Sequence, residues 1–145
     1  MNTRTLLALP FLLVLILATA CQTTPTMHGD GALAEASGIW RFSHPGKPTI
    51  QSGDVDVPKI VAENMQGSKI SIAPDGKASM LAVGQSKSFD IVVVEETPLF
   101  IKLGLPEDPE KAYTYDKATR LLSLPMPLDI DGDEGTISAY YKRQR

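Results

Sequence analysis

Apolar and polar positions follow two regimes along the chain. From Leu6 to Leu17 every residue is apolar, broken only by Pro10. From Gly38 onward the apolar residues recur with a period near two, the spacing of a half-buried strand. Ile39 to Ser43 is the first strand candidate. Lys69-Ile70-Ser71-Ile72-Ala73 alternates, Pro74-Asp75-Gly76 supplies a turn, and Lys77 to Val83 returns with Ala78, Met80 and Ala82 on one face. Proline presets φ, aspartate accepts a local backbone hydrogen bond and glycine tolerates φ > 0, so the turn has a mechanism. Phe89 to Glu95, with Ile91-Val92-Val93-Val94 apolar on both faces, suits a strand buried on both sides. Leu99 to Leu103 follows, with Leu99, Ile101 and Leu103 on one face. A second hairpin runs from Lys111 to Tyr115, through Asp116-Lys117-Ala118-Thr119, and back along Arg120 to Leu124. Thr136 to Lys142 closes the series, with Ile137, Ala139 and Tyr141 opposed to Ser138 and Tyr140.

One segment carries two readings. Asp56 can cap a short helix near 57–66, in which Val57, Ile60, Val61 and Met65 share a face and Gly67 ends it. Asp54-Val55-Asp56-Val57 also alternates as a strand would. Short strands with tight turns predict an all-β domain over residues 38–145, a small antiparallel meander barrel with a two-sheet sandwich as the alternative.

The apolar run at the start has a different meaning. It follows a single basic residue, Arg4, and leads to Ala18-Thr19-Ala20-Cys21. A basic start, a short apolar stretch and small residues at the exit describe a secretory signal peptide over residues 1–20. The stretch falls short of the roughly twenty residues that a spanning helix needs. Leu17-Ala18-Thr19-Ala20-Cys21 resembles a lipobox, the processing site of bacterial lipoproteins. That resemblance implies cleavage before Cys21, a diacylglyceryl thioether on its sulfur, and N-acylation by a fatty chain such as palmitate. Two or three acyl chains hold a protein stably, where one holds only marginally. Gln22 stands where Asp is associated with inner-membrane retention, so in a Gram-negative host the resemblance implies the outer membrane, facing the periplasm. Residues 22–37, QTTPTMHGDGALAEAS, are small and polar and read as a flexible tether that includes His28.

Gly38-Ile39-Trp40 resembles the Gly-x-Trp that opens lipocalin-type (calycin) barrels. In that superfamily the Trp closes one end of the barrel and a basic residue near the end of the chain packs on it. The resemblance therefore implies closure by Trp40 with Lys142 or Arg143, a cation over an aromatic face, and a cavity only where side chains do not fill the interior.

Composition narrows the function classes. The chain has 14 Lys+Arg against 17 Asp+Glu, a net charge of −3, and the leader holds one of the basic residues and none of the acids. A mildly acidic chain lacks the electrostatic footprint of a nucleic-acid binder, and Lys142, Arg143 and Arg145 read as a solvated basic end. Cys21 is the single cysteine. No disulfide forms within the chain, and cysteine-based zinc, haem or thioredoxin-like chemistry is excluded.

Candidate chemistry is sparse. Asp129-Ile130-Asp131-Gly132-Asp133-Glu134-Gly135 has a calcium-loop flavour, but an EF-hand places glycine sixth and a bidentate glutamate twelfth. From Asp129 those places hold Glu134 and Tyr140, so an acidic surface turn is the reading. Glu95, Glu96, Glu107, Asp108 and Glu110 are numerous enough for paired-carboxylate hydrolysis only if a cleft brings two of them together. His44 adjoins Ser43, and neighbours on a strand face opposite ways. No Gly-x-Ser-x-Gly, phosphate loop or HExxH motif occurs, and no cofactor or metal site is implied.

The leading expectation is a non-catalytic envelope lipoprotein, held on the membrane through Cys21 and binding a protein partner or supporting assembly. A lipocalin-like binder of a small apolar ligand is the alternative, and a carboxylate hydrolase the third. Cys21→Ser is expected to release the protein from the membrane or leave it as uncleaved precursor. Fractionation with labelled palmitate checks this, and a processed Cys21→Ser protein that stays anchored would refute the tether.

Overall fold

The computed structural model describes residues 29–51 and 53–145. The signal peptide, Cys21 and the tether as far as His28 lie outside the described residues. Eleven elements follow in order: α1 (Gly29–Ala36), β1 (Gly38–Pro45), α2 (Val57–Met65), β2 (Lys69–Ile72), β3 (Lys77–Ala82), β4 (Gln85–Asp90), β5 (Val92–Glu96), β6 (Phe100–Leu105), β7 (Asp108–Asp116), β8 (Leu121–Ile130) and β9 (Asp133–Arg143). All nine strands belong to one antiparallel sheet, in the order β4-β3-β2-β1-β9-β8-β7-β6-β5. The fold is the expected β-barrel, nearly closed, rather than the two-sheet alternative.

The two edge strands are consecutive in sequence, with Ile91 alone between them. β4 is antiparallel to β3, and β5 is antiparallel to β6. Following the alternating directions around the sheet makes β4 and β5 run the same way. They are therefore two halves of one kinked strand. The first half pairs with β3 and the second with β6, which makes the whole an eight-stranded up-and-down barrel. At the kink the Ile91 amide donates to the Gly76 carbonyl (2.9 Å), and the Ile91 side chain is buried.

Periodicity explains the core. Trp40 on β1, Ile70 on β2, Ile101 and Leu103 on β6, Leu122 on β8, and Ile137 and Tyr141 on β9 alternate inward and are almost completely buried. They fill the axis with side chains. Tight turns set the register. Asp131 (φ 55°) and Gly132 (φ 91°) form a two-residue loop between the paired Ile130 and Asp133, the primed hairpin turn that matches strand twist. The acidic run 129–135 is this hairpin, as expected. Asp56 caps α2 by accepting from the Lys59 amide (3.1 Å), and Val57, Val61 and Met65 bury against the barrel. The helical reading of 57–66 is the correct one of the two.

Several expectations require correction. Residues 29–36 are not part of a tether: they form α1, with Ala32 and Ala36 buried in the core. The folded unit thus begins ahead of Gly38. Small side chains let this helix approach the barrel closely, which its low hydrophobicity disguised. Phe89 to Glu95 is not one doubly buried strand. It breaks at Ile91, and Val92 and Val94 are exposed because the sheet changes neighbours there. β4 begins at Gln85, before the expected start, since its solvent face is polar. Leu99 lies in the turn before β6 and is 71% exposed. β8 and β9 extend past the expected strands to form the longest hairpin, Leu121 to Arg143.

Gly76 sits at φ 86°, and a Cβ built on it would lie 2.7 Å from the Ile91 carbonyl oxygen. Backbone cannot swing aside as a side-chain tip can. Gly76→Ala is expected to cost about 2 kcal/mol or more. Gly84→Ala, also at positive φ but in open space, should cost about 1 kcal/mol. Urea denaturation of the two variants checks this, and equal losses would remove the strand handover from its structural role.

Candidate functional site

Two places combine geometry with chemistry: the end of the barrel around Trp40, and the gap beside β4.

At the first, Trp40 is fully buried and its indole Nε1 donates to the Ala36 carbonyl of α1 (3.0 Å). The register pairs Trp40 with Arg143, which sets the guanidinium carbon 4.7 Å from the Trp40 ring centroid and 5.6 Å from that of Tyr115. Arg143 also donates through Nη2 to the Glu35 carbonyl of α1. Of the two basic residues offered by the sequence, Arg143 is the one that packs on Trp40. Lys142 is its neighbour on β9 and faces outward, paired with Arg41 and Leu121. Lys117 adds a second tie to α1, 3.4 Å from Glu35 and 3.2 Å from Glu96.

The second place follows from the kinked strand, which leaves an unpaired stretch on each side of Ile91. On the β5 side the gap is occupied by α1, which packs along β5 and sets Leu33 beside Gly76. On the β4 side it opens into a cleft of about 300 Å³ lined by Met80, Ala82, Gln85, Lys87, Phe89, Leu105 and Tyr113. Phe89 and Tyr113 stack nearly parallel with centroids 6.1 Å apart. The floor is apolar, while Gln85 and Lys87 are exposed at the rim. Nothing in the sequence marked this cleft except the inward alternation of Met80 and Ala82, because its walls come from two separate hairpins, β3–β4 and β6–β7.

The remaining candidates do not converge. Glu95 and Glu96 end β5, Glu107 lies in the turn before β7, and Asp108 pairs with Lys111 (3.1 Å). Neither they nor Glu110 line the cleft. His44 is exposed and stacks on Tyr140 at 5.0 Å, while its Nδ1 meets Ser43 Oγ at 3.1 Å. Among the described residues no group of three or more His, Cys, Asp or Glu side chains comes together as a metal-ligand set.

Burial pushes the Tyr113 phenol up to about 12, with the nearby Tyr141 adding to the shift. The sign follows from linkage: the folded state binds this proton more tightly than the unfolded chain. Its contribution is intact below about pH 10 and is lost as pH rises from about 10 towards 12. Tyr141 is shifted the same way by burial. Stability to urea should therefore fall between about pH 10 and about pH 12, and Tyr113→Phe should shrink that fall. An unchanged pH dependence in the variant would mean that the phenol is in contact with water.

No known protein family, curated protein or solved structure matches this chain.

Proposed function

We propose that this chain is a lipid-anchored, non-catalytic module of the bacterial cell envelope that holds a small apolar ligand in the cleft beside β4. The lipobox at Cys21 supports the anchor. The observation that carries the ligand reading is the half-paired strand, which opens an apolar patch of the inner layer to solvent. The axis itself is filled by Trp40, Ile70, Ile101, Leu103, Leu122, Ile137 and Tyr141, so the ligand enters through the wall. A volume of about 300 Å³ is at the lower end for small-molecule sites.

The lining selects the ligand class. Met80, Phe89, Leu105 and the Tyr113 ring suit a hydrocarbon body, and Lys87 at the rim suits a carboxylate head. Each methylene buried contributes about 0.8 kcal/mol, whereas an exposed ion pair adds about 0–1 kcal/mol. Affinity comes from the chain, and the ammonium sets orientation. A fatty acid of modest length meets both requirements.

A protein partner is the second reading, and the same strand favours it. β4 presents unpaired backbone beside the exposed Leu81 and Val83, an edge to which an extended segment can add.

Native mass spectrometry of the chain purified from an envelope, with Ala82→Trp as a cleft-filling variant, separates the readings. The expected result is an added mass that extracts into organic solvent and is missing from a folded Ala82→Trp protein. A bare mass, together with no displacement of a fluorescent fatty acid, would overturn the ligand reading and leave the β4 edge as the recognition surface.

A further inference from the structure

We infer that the outer wall around the start of β1 and the end of β9 is a binding site for a phosphate-bearing group. Strand register creates it. Lys142 on β9 is the direct partner of Arg41 on β1, and Arg41 is the direct partner of Lys69 on β2. Three cations thus stand in one row across three adjacent strands. Like charges directly opposite on antiparallel strands are destabilising, so the row is held at a cost that a bound anion would remove.

Among the described residues the row has no salt-bridge partner. Lys77, Lys111 and Lys117 are each salt-bridged to a carboxylate. Among the described residues no salt bridge reaches Arg41, Lys69, Arg120, Lys142, Arg143 or Arg145. Beside the row lies a recess of about 440 Å³ with Trp40 and Tyr115 in its lining and Arg120, Lys142, Arg143 and Arg145 around it. No Asp or Glu side chain lines it. Asp116, the last residue of β7, accepts from the Thr119 amide through its Oδ1 (2.7 Å).

The cations are also held in place. Gln144 donates its amide to the Ile39 carbonyl (2.7 Å) and accepts from Arg41 Nε (3.0 Å). Gln144 is therefore pinned to β1, while Lys142, Arg143 and Arg145 are exposed, as the sequence led one to expect. Arg120 lines the recess from φ 58°, a left-handed conformation that is unfavourable for a non-glycine residue. Its amide donates to the Asp116 carbonyl (2.8 Å), so the loop over-determines that backbone. Guanidinium groups present planar donor forks that match phosphate oxygens. The chain as a whole carries −3, so the site is a local concentration of charge rather than a share of a general excess. It is the size of one headgroup, supplied by a phospholipid or by free phosphate.

The site stands apart from the cleft beside β4, and only its membrane source rests on the lipid-anchor reading. Trp40 is the single tryptophan and lies beneath Arg143, so its emission reports on the recess. The full chain in neutral detergent is titrated with inorganic phosphate against chloride at matched ionic strength. It is then reconstituted into phosphatidylcholine vesicles with and without phosphatidic acid. The expected result is a saturable change in Trp40 emission that chloride does not produce. Arg120→Gln with Lys142→Gln should weaken it at least about tenfold, the loss of charge-assisted contacts, while circular dichroism stays unchanged. Lys59→Gln with Lys111→Gln should leave the response intact. A response to phosphate in solution identifies free oxyanion as sufficient, and one confined to phosphatidic acid vesicles identifies a headgroup; both support the site. No response in either arm, a response that chloride reproduces, or one that survives the double variant would overturn it. Failure to associate with either vesicle would count against the anchor, while the solution titration still decides the site.

Discussion

A closed β wall requires that every strand find two neighbours, and this barrel meets that requirement with a strand that changes neighbours midway. At Ile91 the chain leaves β3 and joins β6, and the transfer is held by one hydrogen bond to the Gly76 carbonyl. A residue with a Cβ at Gly76 would press on the Ile91 carbonyl. The rest of the architecture adapts to that handover. Each side of the kink has a stretch of unpaired edge, and exposed edges invite association. One is covered by α1 and the other is left open.

The covering is specific. α1 contributes little apolar bulk, since its core contacts are Ala32, Ala36 and the partly buried Leu33. Its position is set by polar ties at its end: Trp40 Nε1 to the Ala36 carbonyl, Arg143 to the Glu35 carbonyl, and Lys117 to the Glu35 carboxylate. Arg143 therefore does two things with one group, stacking on Trp40 while fastening the helix. The open side keeps Lys87 and serines on the edge strand, which discourages indiscriminate pairing without closing the cleft.

Much of this was legible in the chain, and the failures have physical causes. The hairpin around Asp75-Gly76 could be read because alternation and turn chemistry agree. The Gly38–Trp40 resemblance placed Trp40 and a late basic residue at one end, where Trp40 and Arg143 meet. β4 was missed because Val83 and Gly84 form a primed turn, at φ 51° and 73°, with valine in a conformation normally left to Asn, Asp or Gly. Ser86, Lys87 and Ser88 then supply no apolar alternation. α1 was missed because alanines that pack tightly look, in one dimension, like linker. The row Lys69–Arg41–Lys142 could not be seen at all, since its members are brought together by register alone. The cleft is hidden for the same reason.

Pairing of β1 with β9 has a further consequence. Gly38 and Arg143 lie at the same end of adjacent strands, with the Arg143 side chain 3.4 Å from where a Gly38 Cβ would stand. The sheet is thus continuous from β4 through β1 and β9 to β5, wherever the covalent chain is cut. A linker joining the end of β9 to the start of α1, with new termini opened between Val83 and Gly84, would preserve every strand pair and keep α1. It would also relieve the valine of its strained backbone. Such a permuted chain would begin and end beside the open cleft, moving any attachment from the cationic end to the opposite one. The fold specifies a ring of strands, and the order in which the chain visits them is a separable property.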